Sequence, residues 1–167
     1  QTLGVFQLES PGMRAMLTSL EPRTIDDILA AIALFRPGPM DSIPKYIAGK
    51  NAPETVKYPS ELLRPVLEET YGCIVYQEQV MSIFRIMAGY TLGRADVVRR
   101  AMSKKKASAL EAERDEFVRG ATGRGMTPDE AEMLFDDMAS FAGYAFNKSH
   151  AAAYAVISFR TAYLKAH

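Results

Sequence analysis

The stretch FAGYAFNKSHAAAYAVISFRTAYLKAH, residues 141–167, is the segment from which we interpret the rest of the chain. It contains no Asp or Glu, and after Gly143 it is rich in alanine and aromatic residues that are compatible with a helix. Asn147 or Ser149 can cap the N-terminus of such a helix, because both side chains accept hydrogen bonds from backbone N–H groups. We therefore predict a helix that begins near these two residues.

The start of this helix is a candidate anion site. The side chains of Lys148 and His150 can attract an anion at this helix start. Free backbone N–H groups and the positive end of the helix dipole would attract it at the same place. Tyr154 lies one turn after His150 on the same helix face, within reach of whatever a bound phosphate carries. A second interpretation stays open, in which this is a packed core helix and Lys148 and His150 only solvate its end.

Composition limits the class of protein. The chain has 167 residues, of which 48% are apolar and 24% charged, so it is globular and fits one domain or two small lobes. Twenty basic residues balance twenty acidic ones, so any attraction for nucleic acid must be local. Cys73 is the only cysteine, which excludes internal disulfides and is typical of a cytoplasmic protein. No apolar run approaches the ~20 residues of a membrane span, so we expect no membrane partner.

Apolar residues recur at intervals of three and four along most of the chain, which predicts a mostly α, compact multi-helix domain with little or no sheet. Helix starts are predicted at Ser10, Thr24, Thr91 and Thr127. Gly4–Leu8 is predicted as a short extended segment, and Gly120–Gly125 as a turn. The loop Phe35–Pro39 contains two prolines and a glycine, and we expect it to project Arg36 in a fixed direction. Tyr76–Gln79 lies at a helix entry, where we favour a structural role.

The segment 94–106 has the strongest local charge bias, with six basic residues and one acid, Asp96. Arg99 and Arg100 suit phosphate oxygens bidentately, whereas Lys104–Lys106 act as point charges. This segment is a second candidate anion site, although a solvated basic helix face would have the same sequence.

Several kinds of catalytic site are absent from the sequence. There is no Walker loop, no dinucleotide fingerprint and no HExxH motif. The pairs Asp26–Asp27 and Asp136–Asp137 are adjacent on predicted helices, so their carboxylates diverge by about 100° and do not form a two-metal clamp. We interpret them as surface acids, and we predict no catalytic residue and no metal ligand in this chain.

Six blocks of sequence stand in order along the chain: GVFQLES at 4–10, ALFRPGP at 33–39, TYG at 70–72 with YQEQV at 76–80, AGYTLG at 88–93, RRAM at 99–102 with KKK at 104–106, and FAGY at 141–144 with FNKSH at 146–150. Together they resemble the bacterial DNA polymerase III alpha subunits, the C-family replicative polymerases, in their DnaE branch. The likeness covers essentially the whole chain. Neither end carries a start or stop signal, so we expect a piece of a longer polypeptide.

The resemblance implies that residues 1–167 form a single helical fingers domain, with sub-lobes 1–90 and 91–167 as a possible subdivision. In this family the fingers receive the incoming deoxynucleoside triphosphate (dNTP). The residues that would bind its triphosphate are Arg99, Arg100, Lys148 and His150, and Tyr154 would lie near its base or sugar. Further candidates for contact with the nucleotide or with DNA are Arg36, Lys104, Lys105 and Lys106.

The implied reaction is nucleotidyl transfer, with Mg²⁺ held by carboxylates of the palm domain outside this chain. Implied partners are primer–template DNA, the remaining polymerase domains, the sliding clamp and other replication subunits. The fragment alone would be inactive. Two other hypotheses stay open, a non-catalytic helical nucleic-acid-binding module and a purely structural bundle. Convergence of Arg99, Arg100, Lys148 and His150 on one concavity would favour the polymerase hypothesis.

Overall fold

A computed structural model describes residues 2–103 and 107–167. Its α-helices are α1 (Pro11–Leu20), α2 (Ile25–Leu34), α3 (Ile43–Asn51), α4 (Arg64–Leu67), α5 (Gln77–Ala88), α6 (Leu92–Ser103), α7 (Ala107–Thr122), α8 (Pro128–Ala142) and α9 (Lys148–Ala166). Short 3-10 turns at Pro39–Ser42, Pro53–Thr55, Glu61–Leu63 and Glu68–Thr70 complete the regular structure. In these two ranges the β-type pairing is limited to an isolated parallel bridge between Tyr76 and Phe146. The mostly α prediction is confirmed.

The predicted helix starts are confirmed at the atomic level. The Ser10 hydroxyl accepts a hydrogen bond from the Met13 N–H, and Thr24 and Thr127 each form a capping box with the acid three residues later. The Thr91 hydroxyl accepts from the Arg94 N–H at 3.3 Å. These caps depend only on neighbouring residues, which is why the sequence predicts them well.

The N-terminal segment differs from its prediction. Gly4–Leu8 is not extended but forms two successive turns, in which the Val5 N–H donates to the Thr2 carbonyl and the Leu8 N–H to the Val5 carbonyl. The segment lies across α9, where the Ser158 hydroxyl donates to the Phe6 carbonyl at 2.8 Å. This long-range hydrogen bond favours the turn conformation of residues 4–8 over an extended one.

Two further expectations were wrong because of tertiary contacts. The predicted turn at 120–125 begins later, since α7 continues to Thr122 and Gly120 lies inside it. A Cβ on Gly120 would lie 2.7 Å from the Cα of Ala88, so the glycine permits α7 to touch the end of α5. Asp27 is not a surface acid, because it is only 3% exposed and pairs with Lys50 at 3.0 Å.

The buried side chains form two clusters. The terminal core is built by α1, α2, α3, the segment 73–76 and α9, and it includes Leu34 and Tyr46. The central core is built by α4 to α8, where the rings of Phe84, Phe117 and Phe135 are in mutual contact. The subdivision at residue 90 stays a prediction.

Among the described residues, no helix has the combination of length and apolar character that crossing a membrane requires.

Candidate functional site at the start of α9

The start of α9 is fixed by two acceptor side chains. Asn147 is the cap, and its side-chain oxygen accepts a hydrogen bond from the His150 N–H at 2.9 Å. The Glu78 carboxylate accepts from the Lys148 N–H at 3.1 and 3.2 Å, and from the Asn147 amide at 2.8 Å. The expectation of free N–H groups is therefore wrong for Lys148 and His150. A carboxylate already balances the positive end of the helix dipole.

The Lys148 ammonium contacts Glu69 at 2.5 Å and lies 5.5 Å from the centre of the Tyr76 ring. Its surroundings form a cavity of about 250 Å³ that is also lined by Asp26 and Glu68. A phosphate on Lys148 would therefore compete with Glu69 or displace it. The two side chains are 39% and 42% exposed, and such half-exposed ion pairs contribute only about 1 kcal/mol or less, so the exchange is accessible.

His150 and Tyr154 share one face of α9, as their spacing predicts. Their ring centroids are 4.1 Å apart, and the Phe146 ring lies 5.4 Å from that of His150. Phe6 packs edge-on against Tyr154 at 5.2 Å, and this contact fixes the tyrosine ring. The result is a short aromatic stripe in which the exposed His150 lies between Phe146 and Tyr154.

Arg36, two residues after the end of α2, joins this stripe at Phe146. Its guanidinium lies 4.4 Å from the Phe146 ring centre and donates to the carbonyl oxygens of Ala33 and Tyr144. These contacts fix the direction of Arg36 from outside the loop, and the stiffening role of its prolines and glycine stays a prediction. Arg36, Phe146 and Tyr154 line one cleft of about 440 Å³, so the nucleotide candidates Arg36 and Tyr154 are brought together.

Arg99 and Arg100 lie on α6 and share one carboxylate. Asp96 accepts from Arg99 at 2.8 Å and from Arg100 at 2.5 Å. The hydrogen bond from Arg99 has the largest effect on the pKa of Asp96. Together with the bond from Arg100 it outweighs the effect of desolvation and holds this pKa below its ordinary value. Helix α6 packs on α5, α7 and α8, whereas α9 packs on α2. Convergence of these arginines with Lys148 and His150 on one cleft stays a prediction.

The start of α6 is tied to α7 by a charged cluster. Arg94 binds Glu116 at 2.6 Å and Glu113 at 3.0 Å, and its guanidinium lies 4.0 Å from the centre of the Tyr90 ring. The hydrogen bond from Arg94 lowers the pKa of the Glu116 carboxyl. This cluster orients the helix that carries Arg99 and Arg100. The remaining predicted contacts, Lys104, Lys105 and Lys106, lie outside the described residues.

The structural role favoured for Tyr76–Gln79 is confirmed for Gln79, which is buried and uses both ends of its amide. Its oxygen accepts from the N–H groups of Val75 and Tyr76, and its nitrogen donates to the Val66 carbonyl and the Thr70 hydroxyl. These four bonds shape the loop that leads into α5.

Sequence reasoning missed Glu69 and Glu78 as partners of the α9 start. Glu78 is 70 residues from Lys148 in the chain, and Glu69 is 79 residues away. No local pattern reports contacts at such separations. The available signal was the acid in the YQEQ motif, whose target only the fold reveals.

The described residues do not fit a magnesium site. Across 2–103 and 107–167, no group of three or more His, Cys, Asp or Glu side chains comes together as metal ligands.

Fold and site together define a mostly helical module with an aromatic-lined helix start whose lysine is paired with carboxylates, and comparison with known proteins gives its family. Residues 1–125 match the family described as bacterial DNA polymerase III alpha subunit finger domain. The chain is 52% identical to DNA polymerase III subunit alpha of Thermus aquaticus, with 100% of the chain covered, and 53% identical to that of Rickettsia prowazekii, with 99% covered. The Bacillus subtilis protein of the same name is 52% identical, with 99% covered.

The chain therefore belongs to the finger-domain family of the bacterial DNA polymerase III alpha subunit. The resemblance inferred from the six sequence blocks is confirmed. The chain spans 14% of the length of the Thermus aquaticus and Rickettsia prowazekii relatives, and 15% of the Bacillus subtilis one.

Proposed function

We propose that this chain is the fingers region of a larger bacterial replicative DNA polymerase, where it binds the triphosphate of the incoming dNTP and helps to position primer–template DNA. Family membership supports the polymerase assignment. The observation that supports the nucleotide site is the contact between the His150 and Tyr154 rings, beside the cleft that Tyr154 shares with Arg36. Lys148 lies at the start of the same helix.

In this proposal the cations hold the β- and γ-phosphates while a primer hydroxyl attacks the α-phosphate. Positive charge fixed around the leaving pyrophosphate stabilises the charge that develops there, and a held triphosphate keeps the reacting atoms aligned. Lys148 and His150 act from α9, and Arg99 and Arg100 from α6. Arg36 and Tyr154 contact the sugar or base.

Binding involves a competition between the triphosphate and carboxylates. A phosphate competes with Glu69 for Lys148 and with Asp96 for Arg100, as a charge beside the lysine or a bidentate partner of the arginine. Both pairs are partly exposed, so the triphosphate, with more charge than one carboxylate, is the stronger partner.

The remaining assignments follow from the same proposal. Mg²⁺ would be held by palm carboxylates outside this chain, where it supplies Lewis-acid stabilisation of the reacting phosphate. The partners would be the other polymerase domains, primer–template DNA, the sliding clamp and further replication subunits, in the cytoplasm. The fragment alone would not catalyse nucleotide addition.

The test is steady-state kinetics of the full polymerase that contains this chain. We expect Lys148→Ala and Arg100→Ala each to lower kcat/KM for dNTP about tenfold or more, the effect of one lost charge-assisted hydrogen bond. Exposed Lys57 provides the control, since Lys57→Ala should leave kcat/KM unchanged. Unchanged kcat/KM in both site variants would remove these residues from the site. Salt-dependent DNA binding without any nucleotide response would instead favour a nucleic-acid-binding module.

A further inference from the structure

The start of α5 and the start of α9 are joined by a compact set of hydrogen bonds. The Gln77 N–H donates to the Phe146 carbonyl at 2.9 Å, and the Gln77 side-chain amide donates to the Ala145 carbonyl at 2.9 Å. The isolated bridge between Tyr76 and Phe146 lies beside them. Together they fix the backbone that leads into α9 against the backbone that leads into α5.

Glu78 completes this junction with the bonds that reach the helix itself. Its carboxylate accepts from the Asn147 amide and from the Lys148 N–H. Asn147 already caps α9 by accepting from the His150 N–H, so α9 has a cap without Glu78. What Glu78 adds is a fixed direction for the cap residue and for the first residue of the helix.

The junction connects the two halves of the proposed cation set. Lys148 and His150 lie on α9, whose buried residues belong to the terminal core. Arg99 and Arg100 lie on α6, which packs on α5 in the central core. A carboxylate on α5 that holds α9 therefore sets the position of one pair of cations relative to the other.

We propose that Glu78 is a positioning residue for nucleotide binding. By linking the first turn of α5 to the first turn of α9, it sets the position of Lys148 and His150 relative to the arginines of α6. This inference rests on the proposed function. Glu78 does not touch the nucleotide. It acts through the main chain of Lys148 and the side chain of Asn147.

A competing interpretation predicts the opposite change in nucleotide binding when Glu78 is removed. If Glu78 merely occupies an anion site that the triphosphate needs, its removal should strengthen nucleotide binding, because the helix N-terminus becomes free. If Glu78 positions the cations, its removal should weaken nucleotide binding and also slow the chemical step, because the displaced cations hold the triphosphate and stabilise the leaving pyrophosphate less well.

The experiment measures KM and kcat for dNTP in the full polymerase. We expect Glu78→Ala to raise KM about tenfold, as the loss of a charged acceptor predicts, and to lower kcat because the cations no longer lie where they stabilise the leaving pyrophosphate. Glu78→Gln keeps one acceptor oxygen at nearly the same place and should raise KM by only about threefold. Glu54→Ala is the control, because Glu54 is an exposed acid outside the cavities that contain Lys148 and Tyr154, and its KM should equal that of the wild type.

Each outcome decides the inference. A KM for Glu78→Ala that is unchanged, with only a lower melting temperature, or a KM that falls, overturns it. If Glu78→Ala does not fold, Glu78→Gln decides by itself, and an unchanged KM in that variant overturns the inference. Failure of the proposed function is distinguishable, because Lys148→Ala and Arg100→Ala would then leave kcat/KM unchanged as well.

Discussion

Asp27 and Lys50 show how one buried charged pair connects three helices. The Asp27 carboxylate accepts from the N–H groups of Arg23 and Thr24 and from the Lys50 ammonium at 3.0 Å. Lys50 also donates to the carbonyl oxygens of Leu20 and Glu21 at the end of α1. The two side chains are 4% and 11% exposed, so water replaces these partners poorly if one is lost.

The pKa of Asp27 gives this pair a pH dependence. Burial by itself would raise the pKa, but the hydrogen bonds from Arg23, Lys50 and Thr24 together lower it below the ordinary value. The ionised form therefore stabilises the fold above the pKa of the unfolded chain, near 3.8, and this contribution is lost as pH falls through the lower folded pKa.

We expect Asp27→Asn to cost about 3 kcal/mol of unfolding free energy at neutral pH, because it leaves the Lys50 charge buried without its counter-charge. The variant should also lose less stability than the wild type between pH 5 and pH 3. Urea unfolding across that range measures both effects. Asp26→Asn is the control, since Asp26 is exposed and should change stability by less than about 0.5 kcal/mol. Equal acid sensitivity of wild type and Asp27→Asn would contradict this account.

The contact between α5 and α7 depends on Gly120. A Cβ there would lie 2.7 Å from the Cα of Ala88 and 3.0 Å from the Met87 carbonyl oxygen, and both are backbone atoms that cannot rotate away. Arg124 reinforces the contact by donating to the carbonyl oxygens of Met87 and Gly120. The helices therefore approach backbone to backbone at this point.

We expect Gly120→Ala to destabilise the fold by about 2 kcal/mol, because overpacking outweighs the better helix propensity of alanine. Gly93→Ala provides the control of opposite sign. Gly93 lies in α6 with no atom within 4 Å of an added Cβ, so alanine there should stabilise by about 0.5 to 1 kcal/mol. Thermal unfolding of the two variants measures the difference, and equal midpoints would show that the close contact is not rigid.

Helix ends were predictable to the extent that they depend on nearby residues. The caps at Ser10, Thr24 and Thr127 bond within three residues, and Gly89 ends α5 with a positive φ of 72°. Gly120 was misjudged because its neighbour belongs to α5, and glycine alone does not tell a turn from a close contact. A helix boundary that tertiary packing decides is invisible in a local pattern.

The basic residues of the candidate site could be predicted from the sequence, but the carboxylates that pair with Lys148 could not. Asp96 stands three and four residues before Arg99 and Arg100, so that pairing follows from helix geometry. Glu69 and Glu78 approach Lys148 only because the fold brings the α4 to α5 region against α9. The sequence therefore indicates where the positive groups lie, and the fold adds the carboxylates that hold them.

The two cores differ in how the chain builds them. The central core uses the segment from Leu63 to Ala142 apart from residues 73–76, whereas the terminal core closes only when α9 packs on α2. The terminal core also depends on the central one, because Gln77 and Glu78 of α5 hold the residues that lead into α9. We therefore expect that the terminal core can open locally while the central core stays folded, and that opening of the central core also opens the terminal core.

We expect Leu34→Ala, in the terminal core, to cost about 3 kcal/mol and to speed amide exchange in α2 and α9 while α7 and α8 stay protected. Phe84→Ala, in the central core, should speed exchange in both cores, because loss of α5 also releases the start of α9. Native-state hydrogen exchange of the two variants tests the asymmetry. If Leu34→Ala accelerates exchange around Phe117 and Phe135 as strongly as around Ala155, the cores open as one cooperative unit and the division argued from packing is wrong.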